Sequence, residues 1–182
     1  MRFSTLSLAT LLSATISSAL PTALTEFYLV TSSQADPSSN SSQLQGVSAT
    51  TPFDESPISG TKLLLRLLEP GYNTLPKFNL DASTGVLSTT LTSSNVPTQW
   101  NSTTVQDNAE LQFVAEPQKA NIGLGGKGEY LLSVGNATDG WTICESGSGE
   151  SVLWWKGTAE GCSKTYLHAV TDAPYQRKLR VR

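Results

Sequence analysis

The apolar residues of this 182-residue chain occur in short runs, and clusters of Gly, Pro, Asn, Asp and Ser separate them. No long helical period is present. Several runs alternate apolar with polar side chains, as at Leu111, Phe113 and Ala115, and this alternation is typical of strands with one buried face. Because the turn residues end each run early, the pattern predicts an all-β protein.

Eight segments are predicted as strands. They are residues 26–31, 77–81, 86–90, 110–116, 129–134, 141–145, 152–156 and 164–171. Residues 62–68 are ambiguous, because near-continuous leucines fit either a short helix or a strand buried on both faces. We expect one compact antiparallel domain, either a β-sandwich or a β-barrel, and a trefoil-like form also fits the number of elements.

Two hairpins and two loops are predicted. Residues 78–80 turn through 81–85 into Val86, and the strand at Tyr130 turns through 135–140 into Trp141, with Gly85 and Gly140 in left-handed conformations. Residues 88–104 include ten Ser or Thr among seventeen residues, and residues 31–50 are similarly rich. We expect both stretches to be long surface connections, solvated or O-glycosylated.

The N-terminus has the pattern of a secretory signal. Arg2 precedes an apolar stretch that is too short to span a bilayer, and Ser17 and Ala19 fit a small-residue cleavage site. The prediction is a signal peptide at 1–19, a secreted β domain at 20–176 and a basic tail at 177–182. No later apolar run approaches the ~20 residues of a membrane-spanning helix.

Cys144 and Cys162 are the only cysteines. An even pair in an exported chain is expected to be oxidised, and closing this loop stabilises the fold by about 3 kcal/mol in the chain-entropy model. Two free buried thiols are the alternative. No metal site is expected, since His168 is the only histidine and the cysteines lack the paired spacing of a zinc site.

Three N-glycosylation sequons begin at Asn40, Asn101 and Asn136. Each lies in a polar, turn-like stretch, where an acceptor is expected to be exposed. We therefore predict that at least two of the three carry glycan.

The charge balance excludes one class of partner. Twelve Lys and Arg against fifteen Asp and Glu give a formal charge of −3, so nucleic-acid binding is not expected. The tail 177–182 holds four of the twelve cations. It is expected either to be a solvated terminus or to contact an acidic surface.

The sequence offers little for catalysis or for a cofactor. Gly123, Gly125 and Gly128 match G-x-G-x-x-G, but a predicted strand follows them where a dinucleotide site needs a helix. His168 lies inside a predicted strand and no G-x-S-x-G elbow is present. A glycosidase needs two carboxylates that the fold brings together, and the sequence leaves this alternative open. The available carboxylates are Asp54, Glu55, Glu69, Asp81 and Glu110.

Trp154 and Trp155 are the candidate ligand contacts. Consecutive residues of a strand point to opposite faces, so burying one indole tends to expose the other. An exposed indole beside polar residues stacks on the apolar face of a sugar, which makes the pair a candidate glycan contact. The alternative is that one indole packs on the disulfide and the other packs on a second layer or under a loop.

The chain resembles the small secreted cell-wall proteins of filamentous fungi related to phiA, the phialide-development protein, which are often labelled IgE-binding or hypersensitive-response-inducing. The segments that carry the resemblance are residues 27–30, 78–81, 85–87, 140–144, 152–155, 161–162 and 166–170. The resemblance implies an extracellular, glycosylated, wall-associated protein with a role in development or surface contact. It supplies no catalytic residues. The basic tail and the Ser/Thr-rich segment depart from that pattern.

The expected function is therefore noncatalytic. We expect a structural or glycan-contacting component of the fungal wall whose partner is a wall polysaccharide or a wall protein. One alternative is a secreted effector that binds a host protein. Another is a small extracellular hydrolase, which requires two carboxylates about 5 to 10 Å apart beside an exposed aromatic ring.

Overall fold

The computed structural model describes residues 23–36, 44–50, 62–68, 75–93, 95–125, 130–147 and 149–172. These residues form strands and turns without any helix. The strands are β1 (Ala23–Ser32), β2 (Gln45–Thr50), β3 (Leu63–Leu68), β4 (Phe78–Asp81), β5 (Val86–Ser93), β6 (Val96–Ser102), β7 (Ala109–Glu110), β8 (Gln112–Val114), β9 (Ile122–Gly125), β10 (Leu131–Val134), β11 (Trp141–Glu145), β12 (Ser151–Trp155), β13 (Ser163–Lys164) and β14 (Tyr166–Val170). The predicted signal peptide and basic tail lie outside the described residues.

Six strands form a closed ring. Antiparallel ladders join β1 to β4, β4 to β5, β9 to β10, β10 to β14 and β14 to β1. The remaining step, from β5 to β9, has no strand ladder and is made by the residue before β5, where the N–H of Ile122 at the start of β9 donates to the carbonyl of Gly85 at 3.0 Å. The first and last strands of the described chain pair directly, and the Ile122–Gly85 hydrogen bond closes the ring in the manner of a barrel.

Three further strand pairs lie beside the barrel. They are β2 with β3, β6 with β8, and β11 with β12. They also pair with each other, since β3 contacts β8 and β12, and β7 contacts β12. The chain thus contains three consecutive units, β1–β4, β5–β9 and β10–β14, each with two barrel strands and one outer pair. The predicted all-β class is confirmed, and the pairings correspond to its trefoil-like barrel form.

The core is aromatic and aliphatic. Phe78 lies between Phe27 and Phe113, with ring centroids 6.3 and 6.4 Å apart, so the first two units share one cluster. Fully buried leucines from all three units complete it. Burial of this kind provides the main free energy of folding, at roughly 25 cal/mol for each Å² of apolar surface.

The prediction that residues 88–104 form a loop was wrong. β5 runs to Ser93 and pairs with β6 over six consecutive registered positions. Threonine is β-branched and favours strands, and its hydroxyl can be satisfied inside the fold. Thr89, for example, is fully buried and donates to the carbonyl of Lys77 at 2.8 Å. Similarly, β2 lies within the stretch 31–50, and the ambiguous residues 62–68 contain strand β3.

One predicted hairpin is confirmed and the other was wrong. β4 pairs with β5 through a turn that ends at Gly85, whose φ is 68°. β10, in contrast, pairs with β9 and β14 and not with β11. The left-handed residues after β10 are Gly135 and Asn136, with φ of 56° and 70°, as a two-residue turn between Val134 and Ala137 requires.

The predicted disulfide is confirmed. Cys144 and Cys162 are bonded, and no described cysteine is free. Cys144 is buried in β11, while Cys162 precedes β13. The bond therefore fastens the segment between β12 and β13 to the outer pair of the third unit.

Gly85→Ala is expected to destabilise the protein strongly. The new Cβ would lie 2.6 Å from the backbone oxygen of Ala120, at the joint between β5 and β9, and the left-handed φ adds strain. We expect a loss of roughly 3 kcal/mol in the free energy of unfolding, measured by urea denaturation.

Gly135→Ala is the matched control. Gly135 is also left-handed, but among the described residues no atom beyond its two chain neighbours lies within 4 Å of an added Cβ, so only the backbone strain of about 1 kcal/mol is expected. Equal losses in the two variants would contradict the role given to the β5–β9 joint.

Candidate functional site

Trp155 belongs to the core. It is 3% exposed, and its ring meets the ring of Trp141 edge to face with centroids 5.0 Å apart. A Cβ on Gly140 would lie 2.6 Å from the Trp155 ring, so this glycine allows the close packing. The prediction that Trp155 contacts glycan was therefore wrong, because its ring has no face available to a ligand.

Trp141 fixes this aromatic pair in place. It is completely buried, and its indole Nε1–H donates to the carbonyl of Leu132 at 2.8 Å. β10 and β11 have no backbone ladder between them, so this side-chain bond is a direct link between the barrel strand and the outer pair. The link holds β12, and with it Trp154, at a defined position.

Trp154 lies on the opposite face of β12 and is partly exposed. Its cross-strand neighbours are Thr142 on β11 and Glu110 on β7, so the three side chains share one face of the sheet. The indole Nε1 is buried without a hydrogen-bond partner among the described residues. The accessible part of the ring is therefore carbon, which is suited to stacking and not to hydrogen bonding.

A polar groove of about 340 Å³ adjoins this face through Glu110. Its polar lining residues are Lys62, Thr103, Thr104, Gln106, Glu110 and Gln112. We call Trp154, Thr142, Glu110 and this groove the Trp154 surface. It combines an apolar ring with hydroxyl, amide and charged groups, which is the usual composition of a site for a small polar ligand.

The disulfide lies beside this surface. Thr142 and Cys144 are two residues apart in β11 and point to the same face, and the Thr142 hydroxyl lies 3.7 Å from Cys144 Sγ. The same hydroxyl accepts a hydrogen bond from the N–H of Gly157 at 3.0 Å. The cross-linked segment after β12 is thus attached to the face that carries Trp154.

His168 is a structural residue of β14, as the sequence predicted. It is 5% exposed, and its Nε2 lies 3.1 Å from the carbonyl oxygen of Gln34. Because a carbonyl only accepts, Nε2 must carry the proton, so this nitrogen is not available as a general base. Gly123 and Gly125 lie in β9 and pair with β10, so this part of the glycine pattern is strand.

Of the five candidate carboxylates, Asp81 and Glu110 are among the described residues and line different grooves. Glu110 lines the groove beside Trp154, and Asp81 lines a second groove of about 380 Å³. Ser83 donates two hydrogen bonds to Asp81, from its hydroxyl at 2.6 Å and from its N–H at 2.9 Å. These bonds lower the pKa of Asp81. Asp54, Glu55 and Glu69 lie outside the described residues. Within the described ranges no three His, Cys, Asp or Glu side chains form a potential metal site.

The sequons have different environments. Asn136 is exposed in the turn after β10, where an acceptor is accessible. Asn101 lies in β6 and is 8% exposed, with its Nδ2 donating to the carbonyl of Glu116 at 3.2 Å. The next residue, Ser102, is buried and its Oγ accepts from the N–H of Leu87. The expectation of an exposed turn is wrong for Asn101, and Asn40 lies outside the described residues.

We predict that correctly folded, exported protein carries glycan on Asn136 and none on Asn101. A glycan on Asn101 would displace the hydrogen bond to Glu116 and force β6 away from the segment 115–118. Peptide mass spectrometry after enzymatic deglycosylation in isotopically labelled water measures occupancy at each site. Asn136→Gln should remove the signal, whereas glycan on Asn101 of the folded protein would contradict the prediction.

Comparison with known proteins gave no relationship: no family model, curated protein or solved structure matches the chain. Among the residues described, none belongs to a helix that is long and apolar enough to span a membrane.

Sequence reasoning found Trp154 but not its surroundings. Glu110 lies 44 positions earlier in the chain and reaches Trp154 only because β7 pairs with β12. No local sequence pattern predicts the pairing of β7 with β12, since β7 has only two residues. The hydroxyl and amide residues near 103–112 were the available hint, because polar side chains cluster around polar ligands as well as around solvent.

Proposed function

We propose that this protein is a noncatalytic, secreted component of a fungal cell wall that contacts neutral wall polysaccharide through the Trp154 surface. The observation that carries the proposal is the half-buried indole of Trp154, which turns its N–H inward and its carbon surface outward next to a polar groove. A pyranose ring has the complementary character, with an apolar C–H face and a rim of hydroxyls.

The contact is made by stacking and hydrogen bonding together. The C–H face of a sugar packs on the Trp154 ring, and the neighbouring sugar hydroxyls reach the hydroxyl and amide side chains of the groove. Because Trp154 lies on a strand paired on both sides, its backbone is already ordered and little conformational entropy is lost on binding. Binding to a polymer of repeated units then gains from many weak contacts.

Four observations support export and wall association. Residues 1–19 have the pattern of a signal peptide, and the Cys144–Cys162 bond is compatible with an oxidising compartment. Asn136 is an accessible glycan acceptor. The resemblance to phiA-related wall proteins points to the same place. A role in development or surface contact follows from that resemblance alone.

Trp154→Ala is expected to weaken retention on insoluble wall polysaccharide about tenfold, as for the loss of roughly 1.4 kcal/mol of binding free energy. The measurement is the bound fraction after incubation with chitin, β-glucan or isolated wall. Tyr130→Ala is the control, since Tyr130 is 47% exposed and lies outside the Trp154 surface.

Other results of the same assay would overturn the proposal. Equal retention of Trp154→Ala and the wild-type protein would contradict the assignment of Trp154 as the polysaccharide contact. No retention on any polymer, with capture of a host protein, would favour an effector. Release of soluble sugar from the polymers would instead establish a hydrolase.

A further inference from the structure

We propose that the groove beside Asp81 is a second carbohydrate site, which binds one uncharged sugar residue through its hydroxyl groups. It shares no lining residue with the groove of the Trp154 surface. It is formed by the β4–β5 turn, the base of the β5–β6 hairpin and the segment after β8. The polar lining residues are Asp81, Thr84, Ser88, Gln99, Asn101 and Gln118.

The strand register places these groups on one face. Asp81 is opposite Val86, and Ser88 is opposite Asn101, while Val86 and Ser88 are two residues apart on β5. β4 and β6 flank β5, so Asp81 and Asn101 lie on strands about 10 Å apart. One six-membered sugar ring with a hydrogen bond on each side fills a gap of about that width.

Asn101 is a preorganised donor at the wall of this groove. It is 8% exposed, its Nδ2 donates to the carbonyl of Glu116, and its Oδ1 accepts from Nε2 of Gln99 at 3.0 Å. An asparagine amide has two N–H donors and two acceptor lone pairs. These bonds use one of each, so one donor and one acceptor remain for a ligand that enters the groove.

Asp81 is a preorganised acceptor on the other side. Its Oδ1 receives both hydrogen bonds from Ser83, which fix the carboxylate. Since each sugar hydroxyl both donates and accepts, a carboxylate acceptor facing an amide donor matches a pair of hydroxyls. Val86 and Pro117 also line the groove and provide apolar surface for the C–H groups of the ring.

The charge of the groove selects the class of ligand. Among the described residues, Asp81 is the only charged one that lines the groove, so phosphate and uronic acid groups are repelled. Hexoses and N-acetylhexosamines of neutral polysaccharides carry the required hydroxyls without a negative charge. The site needs an unmodified Asn101, which is the state expected from its burial.

The test uses soluble oligosaccharides and calorimetry with the complete exported protein. The probes are a β-1,3-glucan hexasaccharide and chitohexaose, with an oligogalacturonate as the anionic control. We expect millimolar or tighter binding of at least one neutral probe and none of the anionic probe. Asp81→Asn combined with Ser88→Ala should weaken binding at least tenfold. Asn keeps an acceptor for the turn, so the fold is expected to persist.

Two controls separate this site from the Trp154 surface. Thr92→Ala changes a residue further along the same face of β5, opposite Pro97 and outside the groove, and should leave affinity unchanged. Because Trp154 is itself assigned to polysaccharide binding, the double variant is also made in the Trp154→Ala background, where it should abolish the binding that remains. If binding of the soluble probes is lost in Trp154→Ala and kept in the double variant, the second site does not exist, while the proposed function stands.

Amide shifts in the unchanged protein provide a test that needs no variant. Titration of the neutral hexasaccharide should move the resonances of Val86, Ser88 and Gln99 and leave that of Thr92 in place. Absence of binding by either neutral probe, or shifts confined to other regions, would overturn the proposal. Retention on insoluble wall through Trp154 is measured separately and is unaffected by this outcome.

Discussion

The pairing of the first strand with the last is the interaction on which the barrel depends. Residues 28–32 of β1 lie opposite residues 166–170 of β14 in an unbroken antiparallel ladder. Without it, the three units would form an open sheet with two long edges, and exposed edges favour aggregation. With it, the apolar faces of all three units meet in one core. Such contacts between distant parts of the chain carry a high entropic cost, which the buried aromatic and aliphatic side chains offset.

Buried polar groups in the barrel explain how a hydroxyl-rich chain can fold this way. Thr89, Ser102 and Thr165 are almost completely buried, and each uses its hydroxyl in a hydrogen bond to backbone. A buried hydroxyl with a partner costs little, whereas one without a partner destabilises the fold. Serine and threonine therefore serve as strand residues here.

Alternating apolar residues and the cysteine count were sufficient to predict an all-β, disulfide-linked protein. Local composition was misleading at 88–104, where the hydroxyl residues that suggested a loop form β5 and β6. Alternation predicted that Trp154 and Trp155 point to opposite faces of the strand. It did not predict which indole is buried in the core, because that depends on the contact of Trp155 with Trp141 of β11. The neighbours of Trp154, and the joining of Asp81 with Asn101 in one groove, follow from strand register across the barrel. Register between distant strands has no local signal in a single sequence.

Amide hydrogen exchange tests barrel closure most directly. If β14 and β1 close the ring, the amides of Val30 and His168, which lie opposite each other in this ladder, exchange only through global unfolding, with an opening free energy equal to the free energy of unfolding measured with denaturant. Exchange of these amides at much lower free energy, while the amides of β4, β5, β11 and β12 stay protected, would show an open sheet and contradict the account.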